Sequence, residues 1–374
     1  MCTKINKIAF VITDKISWNH LKNVIQALPE DSYDIIVADE KQASKGLYMF
    51  FRAFARKMVG FTNAINLKKN ILDSKDLKNA KNINDVIIGN LKYKCAICVF
   101  PDITGSVGNK WKLELIADKL IRAAFISGAY AYMLDLEANK KFNYILCCGK
   151  EQKKAYEQLG LKARVIAVGN PRLLPLTSYH AEEDPVCKRL DKSKKTILWI
   201  PGHGRKSCSL PNYLPIFSKL QKEFNVVVSY PLGIYQDFCF LRHKIEKAIK
   251  ILVNNRDSAS LMYLADFVFC DYGGSMLTSI YYEKNVCLLN AKKENIFIVE
   301  KNFGKNSPEI TLRKDIINFD PTNTYDDFIH TLNNNSVWEQ QKKIIKDIKE
   351  KFFSESAENA IKEIRNFLLS MLSM

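Results

Sequence analysis

The chain has 374 residues, 47% hydrophobic and 26% charged, a balance that excludes a disordered chain and leaves apolar material for two cores. With only 15 glycines and 11 prolines, collagen-like and linker-like sequence is excluded as well. Lysine plus arginine number 56 against 40 acidic residues, a formal charge of +16, which favours an anionic partner: nucleic acid, acidic membrane or a phosphorylated compound.

In chain order, KIAFVIT (7–13) reads as a buried strand and WNHLKNVIQAL (18–28) as the helix after it. YDIIVAD (33–39) is a second strand. KCAICVFPD (94–102), AAFISG (123–128), NYILCCG (143–149) and RVIAVGN (164–170) are further strands. After a polar break at 184–195 the pattern restarts with TILWIPG (196–202), NVVVSYP (225–231), ADFVFCDYGG (265–274) and NVCLLNA (285–291). Helical patterns lie between, as in LPIFSKLQKEF (214–224) and SMLTSIYYEK (275–284). Strand and helix alternation of this kind predicts an α/β fold with mainly parallel sheets, and the restart predicts two such units. The expected domains are 1–183, 184–335 and a terminal helical stretch, 336–374, packing back on the body.

Several features bear on surroundings. Most of the 10 cysteines fall inside apolar runs and read as small buried hydrophobes. Cys95 and Cys98 have zinc-knuckle spacing, but no second pair follows, and in a strand they point to opposite faces. No metal site is expected. The first apolar run is too short for a signal peptide and no run approaches about 18 apolar residues, so a reducing, cytoplasmic setting is expected. KGLYMFFRAFARKMVGF (45–61) is a basic, aromatic-rich amphipathic helix candidate. It reads either as a packing helix or as a surface placing Arg52, Arg56 and Lys57 near anionic headgroups. Zinc-finger spacing, an RNP-type pattern and a compact basic arm are all missing, so a nucleic-acid partner is not expected.

Two strand exits carry candidate chemistry. At the first, a buried run ends in Asp271, turns through Tyr272-Gly273-Gly274 and opens a helix at Ser275. Glycines allow close backbone approach, and a helix start offers free N–H groups to phosphate. Such exits are where open α/β sheets bind ligands. The competing reading is a tight turn in which Asp271 only bonds backbone. The second exit, Pro201-Gly202-His203-Gly204-Arg205-Lys206-Ser207, carries one imidazole and two cations. Arg205 and Lys206 suit a diphosphate, and His203 suits proton transfer near neutral pH. A solvated basic loop is the plain alternative. Weaker candidates are Ser127-Gly128 and Gly169-Asn170-Pro171-Arg172, the latter supplying a phosphate-facing arginine. His20, His180, His243 and His330 lack partners at metal or triad spacing, with some reserve for His20 because it follows the first strand.

The order of these pieces resembles the CDP-glycerol glycerophosphotransferases, which build teichoic-acid-like and capsular phosphopolymers. The counterparts are Ser127-Gly128, Gly169-Asn170-Pro171-Arg172, Pro201-Gly202-His203-Gly204-Arg205, and Asp271-Tyr272-Gly273-Gly274-Ser275 with Lys284-Asn285-Val286, spanning residues 120–300. Departures are Ser127 in place of a histidine, Tyr230-Pro231 in place of His-Pro, and Gly273-Gly274 in place of Ser-Ser. The Asp-x-Gly-Gly turn is also similar to UDP-N-acetylglucosamine 2-epimerases. The resemblance implies two Rossmann-like domains of glycosyltransferase-B type with a cleft between them. It further implies metal-independent transfer, without cofactor, of a glycerophosphate or glycosyl group from a nucleotide-diphospho donor to a polysaccharide or lipid-linked acceptor. In that reading His203 and Asp271 are catalytic. Gly202, Gly204, Arg205, Lys206, Gly273, Gly274, Ser275 and Arg172 hold the donor. Ser127 and Gly128 face the acceptor, and an anionic membrane surface is a possible further partner. The alternatives are a nucleotide-sugar epimerase or hydrolase, and a non-catalytic nucleotide-sugar-binding homologue.

Overall fold

Runs of β-branched and aromatic residues bury both faces when they pair in parallel with helices above and below, and these runs do so here. The computed structural model describes residues 2–13, 15–38, 80–100, 112–125, 134–178, 181–202, 204, 206–230, 242–254 and 258–373. They form two units. The first comprises the described parts of Met1–Phe125, Leu134–Leu174 and Phe352–Met374, and the second centres on Pro175–Lys351. The 45–61 stretch lies outside the described residues.

The first unit holds strands β1 (Thr3–Ile12), β2 (Tyr33–Val37), β3 (Lys81–Asn82), β4 (Leu91–Cys98), β5 (Ala117–Ala124), β6 (Tyr144–Cys147) and β7 (Arg164–Ala167). They pair in the order β3-β2-β1-β4-β5-β6-β7, each described pairing parallel. The direction of winding reverses between β1 and β4, the arrangement of a doubly wound Rossmann-like sheet. The strand expected at 123–128 instead ends at Ala124 and begins at Ala117. Asp118, Lys119 and Arg122 break the apolar run there, and Arg122 is 1% exposed even so. Its guanidinium bonds Asn139 Oδ1 and lies 5.8 Å from the Tyr156 ring centroid, so paired polar and aromatic partners make its burial tolerable. Cys95 and Cys98 are buried in β4, and burial pushes both thiols up to about 12, leaving them protonated.

The second unit holds β8 (Thr196–Ile200), β9 (Asn225–Tyr230), β10 (Ile251–Asn254), β11 (Phe267–Cys270), β12 (Asn285–Leu289) and β13 (Asn318–Phe319). The order is β10-β9-β8-β11-β12-β13, again parallel in each described pairing. Winding reverses between β8 and β11. Its core stacks Trp199 on Phe217, ring centroids 4.0 Å apart, and gathers Phe269, Phe319 and Phe328 around them. Side chains of this size contribute roughly 1.5–3 kcal/mol each on burial.

The terminal stretch divides into helices Asn335–Phe352 and Ala357–Ser373. The former belongs to the second unit. There Gln341 donates from Nε2 to Val286 O and accepts from Ile317 N–H, while Trp338 packs on Phe267. From Phe352 the chain belongs to the first unit. Gly149 allows that passage, because a Cβ there would lie 2.4 Å from the Phe352 carbonyl oxygen. Arg365 Nε then donates to Ala27 O, and Phe367 packs edge-on against Tyr144.

Candidate functional site

The switch in winding sets the β8 and β11 exits side by side, since these strands pair directly. The residue leaving β11 is Asp271, whose carboxylate turns into the protein and is 1% exposed. Its Oδ2 accepts the N–H of Gly202 at 2.7 Å and the N–H of Ser209 at 2.7 Å. One oxygen therefore clasps both ends of the 202–209 loop. Oδ1 is buried and has no hydrogen-bond partner among the described residues. Burial pushes the Asp271 carboxyl up to about 6, opposed by the hydrogen bonds from Ser209 and Gly202 and by the Arg313 charge. The observed partners of this carboxylate are backbone N–H groups of the neighbouring exit.

Space is tight where these two exits touch. A Cβ on Gly202 would sit 3.2 Å from Asp271 Cβ and 3.2 Å from Tyr272 O. Gly204 adopts φ +91°, and its carbonyl accepts from the N–H groups of Ser207 and Cys208. The start of that loop's helix, Leu210–Leu220, is fixed from below, where Trp199 Nε1 donates to Ser209 Oγ at 2.9 Å.

Beyond Asp271 the chain turns through Gly273, at φ +120°, into the helix Gly274–Tyr281. Gly273 is the cap, so the helix begins one residue before Ser275, and among the described residues no side-chain cap bonds its first N–H groups. A Cβ built on Gly273 meets nothing within 4 Å, so the space over this helix start is open. Free N–H groups facing open space suit an anion.

Arg313 carries no signal in the sequence, where it stands beside Lys314 in a segment of mixed charge. In the fold its guanidinium is buried and bonds three backbone carbonyls: Glu309 O at 3.0 Å, Leu289 O at 3.1 Å and Asp271 O at 2.8 Å. It also reaches Asn290 Oδ1 at 2.7 Å and stacks over the Tyr272 ring at 3.7 Å. Tyr272 in turn accepts the Ala291 N–H. The β11 and β12 exits are thereby locked together, a role only spatial adjacency reveals.

Of the other expected site residues, Gly204, Gly274 and Ser275 are half-buried and Lys206 is exposed, all in the second unit. His203, Arg205, Ser127 and Gly128 lie outside the described residues, as does Pro231. Tyr230 closes β9. Arg172 belongs to the first unit, where Nη1 lies 3.5 Å from His20 Nε2 and Asn23 donates to Pro171 O. His20 is fully buried and its ring stacks on Phe125.

No family model matches the chain, and no curated protein matches it. Solved structures do. The wall teichoic acid polymerase TagF, soaked with CDPG, superposes with a TM-score of 0.60 at 12% identity, covering 99% of this chain and 90% of that one. A UDP-N-acetylglucosamine 2-epimerase gives 0.56 at 14%, covering 99% and 96%. The Neisseria meningitidis UDP-GlcNAc 2-epimerase bound to UDP-GlcNAc gives 0.53 at 13%, covering 97% and 100%. At such identities the likeness establishes the fold: α/β, with two Rossmann-like units of the glycosyltransferase-B type.

Proposed function

We propose that the chain is a glycosyltransferase-B enzyme that transfers a glycerophosphate or glycosyl group from a nucleotide-diphospho donor to a polysaccharide or lipid-linked acceptor. One observation carries the reading: a glycine-bracketed basic loop is clasped by Asp271 beside a helix start that opens on free space, at the switch point of a Rossmann-like sheet. Likeness in fold to TagF and to the epimerases supports the substrate class.

In this reading the N–H groups at Gly273, Gly274 and Ser275, with Gly202, Gly204, Arg205 and Lys206, hold the diphosphate. Arg172 adds a cation, and Ser127 and Gly128 serve the acceptor. The acceptor hydroxyl attacks the transferred group, the bond to the nucleotide phosphate oxygen breaks, and His203 takes the hydroxyl proton. The cations stabilise the charge that develops on the departing nucleotide, so positioning and electrostatics supply the acceleration. Asp271 is a positioning residue that shapes the loop.

The test is a thermal-shift screen with CDP-glycerol, UDP-N-acetylglucosamine and their GDP and CMP counterparts, followed by turnover with and without an acceptor panel. A donor at about 100 times its dissociation constant adds roughly 2.7 kcal/mol of stability. Transfer should require acceptor and should drop at least about 100-fold in His203→Ala, the range of general-base catalysis. Conversion of donor without acceptor selects the epimerase reading instead, and tight binding with no turnover selects a non-catalytic binder. Absence of any donor binding sinks all three.

A further inference from the structure

β8, β9 and β10 lie side by side and parallel, so all three begin on one rim of the second sheet. The chain enters each of them through lysine: Lys192, Lys194 and Lys195 before β8, Lys222 before β9 and Lys250 before β10. Amide side chains fasten these entries. Asn225, 8% exposed, accepts the Asp191 N–H on Oδ1 and donates from Nδ2 to the carbonyls of Asp191 and Lys194. Gln221 accepts the Lys250 N–H and donates to Ala248 O. Cations tie the entries together as well. Lys194 Nζ donates to Lys222 O at 2.7 Å, and the exposed Arg189 donates to Lys250 O. A carbonyl partner leaves the full positive charge in place. Among the described residues no carboxylate lies within ion-pair distance of Arg189 or the five lysines. Three exposed acids stand nearby, each with another partner: Asp191 accepts from Ser193 in its own turn, Glu223 from the Tyr325 hydroxyl and Asp266 from the Thr196 N–H. Six cations against three acids leave the rim positive.

We propose that this rim binds a linear, base-free phosphate polymer lying across the entries to β8, β9 and β10. Three adjacent strands span about 10 Å, a breadth that suits successive charges of one extended chain better than a single phosphate ion. The loops are fastened before any ligand arrives, which lowers the ordering cost of binding. Single-stranded nucleic acid is held by cations together with aromatic side chains on which bases stack. A lipid surface is held by cations together with apolar tips. None of the large apolar or aromatic side chains exposed in the described residues belongs to these loops, so the charge complements a polyanion that has neither bases nor acyl chains. The rim is separate from the candidate donor site. That site lies where β8 and β11 end, and the five residues of β8 amount to about 15 Å of extended chain. The inference goes beyond the proposed function and borrows from it only that a transferred glycerophosphate leaves a phosphodiester in its product.

The experiment is fluorescence anisotropy of a labelled glycerol phosphodiester 12-mer against the full chain over a salt series, with oligo(dT) of equal length and inorganic phosphate as competitors. A single-stranded phosphodiester loses roughly 0.7 in log affinity per tenfold rise in salt for each cation engaged, so six cations should lower wild-type affinity about 300-fold between 50 and 200 mM salt. Lys192→Gln with Lys222→Gln and Lys250→Gln removes one cation from each strand entry and should cut that fall to about 20-fold. The same three positions changed to arginine should keep the wild-type dependence. These side chains are exposed and stand on the rim opposite the donor site, so both variants should keep the wild-type melting temperature and donor-induced thermal shift. That readout separates failure of the rim from failure of the donor site. A wild type that does not bind the 12-mer, or a glutamine variant with wild-type affinity and salt dependence, overturns the proposal. So does displacement by oligo(dT) at a tenth of the concentration that unlabelled 12-mer needs, the mark of a nucleic-acid surface. Displacement by inorganic phosphate at equal total phosphate overturns it too, since a single-ion site would then suffice.

Discussion

The clasp at Asp271 sets two effects against each other, and pH decides between them. Burial penalises the carboxylate, while the N–H groups of Gly202 and Ser209 and the Arg313 charge favour it. Burial wins, moving the carboxyl from 3.8 to about 6. A folded-state value above the unfolded one means the group contributes most below the unfolded value and loses that contribution as pH rises through about 6. The rise of about 2 pH units corresponds to about 3 kcal/mol at about 1.4 kcal/mol per unit, a large share of the roughly 5–15 kcal/mol that holds a domain folded. Linkage then gives a gain of about 1 kcal/mol on going from pH 7 to pH 5. Asp271→Asn keeps the shape and one acceptor oxygen but does not titrate. Denaturant unfolding of wild type and variant, measured in parallel from pH 5 to pH 8, isolates the group, because every other titration cancels in the difference. Wild type minus variant should grow more favourable to the wild type toward pH 5, by about 1 kcal/mol. A flat difference, or one that falls toward pH 5, would mean that the hydrogen bonds and the Arg313 charge match or outweigh burial and that the account of the clasp is wrong.

Other outcomes follow from the same geometry. Gly202→Ala places a Cβ 3.2 Å from both Asp271 Cβ and Tyr272 O. It should cost about 1–3 kcal/mol, as overpacking does, and should weaken donor binding, both read by thermal shift. Arg313→Met strips three backbone carbonyls of a buried charged donor. The loss should be about 3 kcal/mol or more by urea unfolding, with Arg313→Lys recovering only part because an ammonium cannot span the same fork. Trp199→Ala empties the stack on Phe217 and frees Ser209 Oγ. It should destabilise by about 3–5 kcal/mol in the same assay.

Much of the architecture was legible along the chain. Short apolar runs separated by amphipathic stretches sufficed for two parallel α/β units, because burial on both faces of a strand leaves a continuous local signature. The glycine-bearing exits after β8 and β11 were legible for the same reason: each follows the end of such a run. Strand 123–128 was misplaced because a buried arginine mimics a surface residue until Asn139 and Tyr156 are seen beside it. β10 was missed, a run of four residues too short to stand out. Partnership was beyond reach altogether. Asp271 and Gly202 are 69 positions apart, and whether that carboxylate faces ligand or backbone depends on which strands are neighbours. Arg313 likewise gains its meaning only when the β11 and β12 exits lie within reach of one guanidinium. Periodicity along a chain records how much each residue is buried; which group it is buried against is set by strand order, and that is a property of the folded molecule alone.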